Sequence, residues 1–433
     1  PETMRWLLTA VTTGHAAFGK KSGRGATFCV SWVYGKGPRH VSSSSSFCGK
    51  SSDVSLQELS RNVFPPPELP SPIDDETLKR RGTDSLKWAK FGPNVLPMWV
   101  ADMDFLAPAK IRANVAERSS EGIFGYARPS EALKIALVAQ IRRAWGAPDA
   151  TERWLRFHPG LVGGLYHACR LLKGDGTVVV PTPVYPPFLN AARDTTKNVV
   201  TIDASRPDTV FDELDEALEK IEERVVILWC NPHNPTGRAW RRSELEQFSN
   251  VITTHADKVK AVCSDEVWSG LTLDDDTVPF TSLAEVAQEY ERVWERLIVI
   301  TSPSKTYNVP SLDFALAVVP NDSLRRLYFR AGRDQAECTP FGFAAAEAIF
   351  LEDESSSPTT TTTDLLSVPN GPCEAWRQRT VAYLRANRDL CVAFVTARCA
   401  PRITVAAIPE ASYLLWLDAS GLQVANPAQH LRD

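Results

Sequence analysis

A lysine flanked by two hydroxyl residues stands at the end of an apolar run in IVITSPSKTYN, residues 298–308. The four apolar, mostly β-branched residues predict a buried strand, and SPSKTYN a loop at its C-terminal end, where α/β sheets place ligands. There Lys305 either faces solvent or serves as an amine nucleophile, its pKa lowered by desolvation and cationic neighbours. Other strand ends carry groups that could work with it. Cys230 closes RVVILWC (224–230) and NPHNPTG (231–237) follows; these turns either hold Asn234 rigid as a two-way hydrogen-bonding amide or form an ordinary Asn-Pro turn. In VKAVCSDEV (259–267) Asp265 projects from a strand end, and a carboxylate there must be met by an internal Arg or Lys or by a protonated ligand nitrogen. TPVYPPF (182–188) sets Tyr185 in a proline-braced loop, as cover for a planar ligand or as a plain core tyrosine. PGLVGGLYHACRLL (159–172) places Gly163 and Gly164 just before a helix, as a backbone N–H cradle for a phosphate requires.

A lysine for an imine, an acid for a pyridinium nitrogen, an aromatic lid, an amide and a phosphate cradle together describe one chemistry. They suit pyridoxal 5′-phosphate (PLP), which acts as an electron sink for a carbanion next to an amino acid's α-carbon.

The elements that must position these groups follow from periodicity. Helical patterns at 107–119 and 130–145 come before the apolar strands TVVVP (177–181), RVVILWC, VKAVCSDEV and RLIVITS (296–302). The intervals between the strands are long enough for crossovers, which predicts an α/β fold with a mostly parallel sheet covered on both faces. Leu324 to Ile349 and EAWRQRTVAYLRANRDLCVAFVTARC read as long amphipathic helices, and ITVAAI and SYLLWLD as two strands of a smaller C-terminal sheet.

Composition agrees with a large enzyme of two or three domains: 433 residues, 43% hydrophobic, 23% charged, formal net charge −4. That balance points to neither a nucleic-acid nor a membrane surface, and no apolar run reaches transmembrane length. Nine scattered cysteines without CxxC or metal-ligand spacing read as free thiols in a reducing compartment, and no metal site is expected. Residues 1–72 differ in kind. Up to Lys50 there are seven Lys or Arg against the single acid Glu2, with SSSSS at 42–46, and PPPELPSP (65–72) then forms a stiff linker. This stretch reads either as a targeting-like, disordered extension for a plastid or mitochondrion, or as an untranslated or mispredicted leader on a soluble cytoplasmic protein. DESSSPTTTTTD (353–364) reads as a surface loop.

From about Ile73 onward the chain resembles the fold-type I aminotransferase superfamily, and within it the MalY/PatB group of cystathionine β-lyases, or carbon–sulfur lyases. RRGTDSLKW (80–88), LPMWVADMDFLAP (96–108), GIFGYARP (122–129), SPSKTYNVPSL (302–312) and PEASYLLWLD (409–418) carry the resemblance. It implies a seven-stranded large domain and a smaller α/β domain, divided as an N-terminal arm (73–120), a PLP-binding domain (121–325) and a C-terminal domain (326–433). It further implies that Lys305 is the imine-forming lysine and proton shuttle. Asp265 pairs with the pyridine nitrogen, Asn234 meets the ring hydroxyl and Tyr185 stacks on the ring. Val162, Gly163, Ser302 and Ser304 hold the phosphate, Tyr126 reaches the phosphate of a second subunit in a homodimer, and Val100, Ala101 and Asp102 line the substrate pocket with Asn234. The implied reaction takes an amino acid with a thiol leaving group on its β-carbon to a thiol, pyruvate and ammonia.

The chain departs from the group's pattern in three places. Trp268 replaces a His or Tyr three residues after the aspartate, and Asp313 and Phe314 replace small residues after the lysine loop. It also stops at Asp433, where relatives continue into a segment bearing a carboxylate-clamping arginine, so it reads as a fragment at both ends with an incomplete small domain. Two other readings stand beside the lyase: an aminotransferase, in which the same lysine reprotonates the cofactor carbon, and a non-catalytic cofactor-binding protein.

Overall fold

The computed structural model describes the backbone of residues 27–31 and residues 80, 82–92, 95, 97–196, 198–274, 277–351, 364–366 and 371–427. The proline-rich linker, the low-complexity loop up to residue 363 and all of the basic leader except 27–31 lie outside these. The described strands are β1 (Thr27–Ser31), β2 (Leu155–His158), β3 (Thr177–Thr182), β4 (Asn198–Asp203), β5 (Val225–Cys230), β6 (Val259–Asp265), β7 (Leu297–Thr301), β8 (Ala315–Val318), β9 (Thr404–Ala407) and β10 (Leu414–Asp418). The chain divides into two compact units. One gathers residues up to Leu106, Pro235–Gly237 and Gln378–Asp433; the other comprises Ala107–Asn234 and Arg238–Arg377.

The second unit holds a seven-stranded sheet in the order β2-β8-β7-β6-β5-β3-β4. β4, β3, β5, β6 and β7 run parallel, and β8 is antiparallel to both of its neighbours. The mostly parallel, helix-covered sheet expected from the sequence is therefore present. Its central strands are apolar without alternation because helices cover both faces: every residue of β5, VVILWC, is buried. One side of the sheet packs Val178, Val180, Val226, Leu228, Cys263, Ile298 and Ile300 against Leu165 and Cys169 of the helix Leu161–Cys169 and against Tyr328.

Three strands of this sheet, β2, β4 and β8, were not among the expected ones. β2 and β8 have four residues each, too few for a distinctive pattern, and the alanines of β8 carry little β-propensity. β4, NVVTID, lies at the sheet edge with polar and exposed positions.

The first unit contains a three-stranded antiparallel sheet, β1-β10-β9. The backbone of Thr27–Ser31, inside the stretch read as a leader, pairs with Leu414–Asp418 from Thr27 opposite Asp418 to Ser31 opposite Leu414. A charge cluster in the same unit joins two of the segments that carried the resemblance. Arg80 grips Asp102 through two nitrogens at 3.1 and 2.8 Å and reaches Asp104 at 2.6 Å. The buried Lys87 ammonium donates to Asp104 at 2.7 Å and to the Asp102 carbonyl at 2.9 Å, and the Trp88 indole donates to Asp104. Tyr413 then donates to the Ala101 carbonyl at 2.9 Å. Among the described residues no helix is long and apolar enough to cross a membrane, and no group of His, Cys, Asp or Glu could hold a metal ion.

Candidate active site

Four neighbouring parallel strands end at one side of the large sheet, and each ends in or is followed by one of the residues singled out by chemistry. Cys230 of β5 is in register with Asp265 of β6, and Asp265 with Ile300 of β7. The loop after β5 begins with the Asn231 N–H donating to the Asp265 carbonyl at 2.9 Å. Asn234, Asp265 and Lys305 thus leave adjacent strands at the same level, and Tyr185 follows β3 on the far side of β5.

Lys305 lies on the short helix Pro303–Thr306, whose N-cap Ser302 accepts from the Ser304 N–H at 3.1 Å. The Ser302 hydroxyl proton goes to the Phe314 carbonyl at 2.6 Å, so the serine ties the lysine loop to the start of β8. On the other side of Lys305, Tyr307 is fully buried and donates to the Leu366 carbonyl at 2.8 Å. Thr306 packs so closely on Gly270 that a Cβ there would meet its hydroxyl. With its neighbours pinned in this way, half-buried Lys305 sits with its ammonium 5.9 Å from the Trp268 ring centroid. Trp268 is itself 2% exposed, so the first departure from the group's pattern forms an apolar wall beside the lysine.

Asp265 is 2% exposed. Burial raises its pKa to about 7, against the pull of the Val267 N–H, which its carboxylate accepts at 3.0 Å, and of the Lys305 charge. The same carboxylate contributes, after burial, to raising the Tyr185 phenol and the Cys230 thiol, so these groups share one electrostatic neighbourhood. Tyr185 keeps 41% of its surface exposed, as a residue awaiting a flat partner would. The adjacent Glu266 is raised by burial to about 8 although it accepts from Ser282, Leu283 N–H and Ser264.

The helix Leu161–Cys169 begins after Gly160, whose φ of 135° is closed to residues with a side chain, and has no side-chain cap. Its first N–H groups therefore lack intrahelical partners and favour an anion. A Cβ on Gly164 would lie 3.0 Å from the Tyr328 hydroxyl and 3.3 Å from Ile300, so this glycine lets the helix sit tight on β7. Val162 and Gly163 lie in that first turn, Val162 36% exposed.

The other departures find places too. Phe314 is buried, with its ring 5.8 Å from Phe157 and 6.1 Å from Phe343. Asp313 takes a φ of 51° after a 3-10 turn, a conformation that aspartate tolerates. Tyr126 is fully exposed in a stretch without regular secondary structure, with Ile123 at 75% and Phe124 at 61%. Val100, Ala101 and Asp102 belong to the first unit, where the Asp102 carboxylate is committed to Arg80 and Lys87. Sequence reasoning passed over those two cations; their spacing from Asp102, 22 and 15 residues, carries no local signal.

These residues fit PLP. An under-compensated buried acid suits a protonated ring nitrogen, an uncapped helix start suits a phosphate, and a lysine stands beside both on the lysine loop. Residues 93–363 match the family model described as aminotransferase class I and II. Over 375 residues the chain is 31% identical to cystathionine beta-lyase PatB of Bacillus subtilis, covering 82% of this chain and 88% of that protein. Among solved structures, OvoB aligns at 32% identity with a TM-score of 0.68, covering 81% of this chain and 86% of that one. A PLP-bound structure from Clostridium difficile 630 aligns at 25% identity with a TM-score of 0.67, covering 80% and 84%.

Proposed function

Because the chain belongs to the aminotransferase class I and II family, we propose that it is a PLP-dependent carbon–sulfur β-lyase acting on cystathionine or another S-substituted cysteine. The single observation that carries the reading is the row of Lys305, Asp265, Asn234 and Tyr185 at the ends of adjacent parallel strands, with Asp265 buried and raised to about 7. The likeness to a cystathionine β-lyase over most of both chains supports elimination in particular.

When bound, PLP supplies a conjugated ring that takes up the electron pair left at the substrate's α-carbon. Everything else falls to side chains. Lys305 would anchor the cofactor and, as a free amine, would take the substrate's α-proton. Asp265, ionised opposite the ring nitrogen, keeps a proton there and so keeps the ring electron-poor. The Asn234 amide would meet the ring hydroxyl, Tyr185 would cover the ring face, and the Val162 and Gly163 N–H groups with the Ser304 hydroxyl would hold the phosphate end, while Ser302, whose hydroxyl is committed to the Phe314 carbonyl and the Ser304 N–H, would position that loop. The wall of Trp268 beside Lys305 keeps water from the amine. Val100, Ala101 and Asp102 are the substrate-side residues of this reading, with the Asp102 carboxylate serving to hold the strip and not to touch substrate. The overall reaction would consume one water and release a thiol, pyruvate and ammonia. Tyr126 is assigned to the phosphate of a second copy, which makes the active unit a homodimer; its full exposure supports this, and light scattering at assay concentration checks it.

The test is release of thiol and pyruvate from cystathionine without added keto acid, run beside Lys305→Ala. The parent should show a visible cofactor band that borohydride quenches, and the variant should lack both band and turnover. A band that survives the substitution would put the anchor elsewhere. Turnover that appears only when a keto acid is supplied would favour an aminotransferase, which the matched family model also accommodates.

A further inference from the structure

We infer that His233 is a positioning residue that fastens the Tyr185 loop to the Asn234 loop, so that stacking ring and amide meet the same cofactor. The inference rests on the proposed PLP chemistry. His233 lies beside Asn234 in the loop after β5 and is 1% exposed, and its Nε2 stands 2.8 Å from the carbonyl oxygen of Pro183, in the loop after β3 that carries Tyr185. A carbonyl only accepts, so Nε2 carries the proton. Burial lowers the imidazole pKa to about 4, against the pull of the Pro183 and Cys230 carbonyls, so the ring is neutral with its proton on Nε2; the buried Nδ1 makes no hydrogen bond of full geometry. A buried ring with one nitrogen unmet is a net cost unless the other bond is needed.

The two loops are unequal, and this decides what that bond does. The Asn234 loop is locked: the His233 N–H donates to the Arg238 carbonyl at 2.7 Å, Asn231 donates to the Thr281 carbonyl at 2.8 Å, and the Trp240 indole donates to the Cys230 carbonyl at 3.1 Å. The His233 ring lies edge-on to Trp240 at 6.2 Å. Tyr185, in contrast, is half exposed and caps the helix Pro186–Thr195 with no side-chain bond. The rigid loop thus holds the looser one through a single neutral hydrogen bond.

The test is a double-mutant cycle read by PLP affinity and by the circular dichroism of the cofactor band, which reports ring orientation. His233→Phe keeps a ring but removes the donor, leaving the Pro183 carbonyl unsatisfied, and should raise the PLP Kd about 10-fold and weaken the band. His233→Gln, whose amide can donate in place of Nε2, should recover most of both. In a Tyr185→Ala background His233→Phe should cost little more, because the residue it serves is gone. Thermal melting of the cofactor-free variants identifies any that fail to fold, and His233→Gln then carries the test in its own right: a Kd and band close to the parent's support a donor role. Additive losses in the cycle, or a His233→Phe affinity within about twofold of the parent, a margin set by ordinary non-additivity, would overturn the inference while leaving the proposed function intact. A parent that takes up no PLP would bring down both.

Discussion

Two pairs of carboxylates, one part-buried and one fully buried, behave in opposite ways. In the first unit Asp102 and Asp104 meet Arg80, Lys87 and the Trp88 indole, so that two negative charges face two positive ones at 2.6–3.5 Å. In the second, Asp265 and Glu266 stand side by side with hydrogen bonds but no comparable salt bridge, and burial raises them to about 7 and 8. A compensated cluster holds a backbone in place, whereas an under-compensated acid at a strand end leaves a demand that a cationic ligand can fill. That contrast separates the scaffold carboxylates, which lie in a segment that carried the resemblance, from the one proposed for the chemistry, which lies outside those segments.

The largest effect should come from breaking the compensated side. Lys87→Met leaves Asp104 with only Arg80 and the Trp88 indole and should destabilise the fold by about 3–5 kcal/mol, read by urea unfolding, while any folded fraction still binds PLP. A loss under 1 kcal/mol would mean that Arg80 suffices and that the cluster is not the lock described. Asp265→Asn comes next. It should fold and bind PLP but lose about 100-fold or more in turnover, because an uncharged amide leaves the ring nitrogen unprotonated; near-parental turnover would remove the aspartate from the chemistry.

The smallest effect sharpens the comparison through pH. In the cofactor-free protein Asp265 has a folded pKa of about 7 against an ordinary 3.8. Below pH 4 both folded and unfolded chains hold the proton. Between 4 and 7 only the unfolded chain gives it up, so stability falls as pH rises and levels off above 7. Asp265→Asn should flatten this fall, leaving the part due to Glu266, which extends to about pH 8. Equal slopes in parent and variant, measured by denaturant unfolding at pH 5 and pH 8, would mean that Asp265 ionises normally in the fold.

Much of the site was legible because its signals are local. An apolar run ending in SPSK, another in SDE and a third followed by NPHNPTG need no distant information to predict a strand, a turn and a functional group at the strand end. The short strands β2 and β8 escaped because four residues, LRFH or ALAV, are too few to show a period. The pairing of Thr27–Ser31 with Leu414–Asp418 escaped because its partner lies near the other end of the chain. Phe314 looked like an anomaly after the lysine loop until Phe157 and Phe343 supplied the other rings of its cluster.

By itself the sequence determined the kind of chemistry: an amine, an acid, an amide and an aromatic ring, each at a strand end, together with a glycine-rich helix start. Side-chain type and strand-to-loop transitions are properties of neighbouring residues. Only the tertiary structure decided that β3, β5, β6 and β7 lie side by side, that Asp265 is buried enough to be raised while Asp102 is neutralised by Arg80 and Lys87, and that His233 reaches the Pro183 carbonyl. Burial and charge pairing depend on which distant segments come together, and a carboxylate or an imidazole carries no mark in sequence of the partners that will meet it.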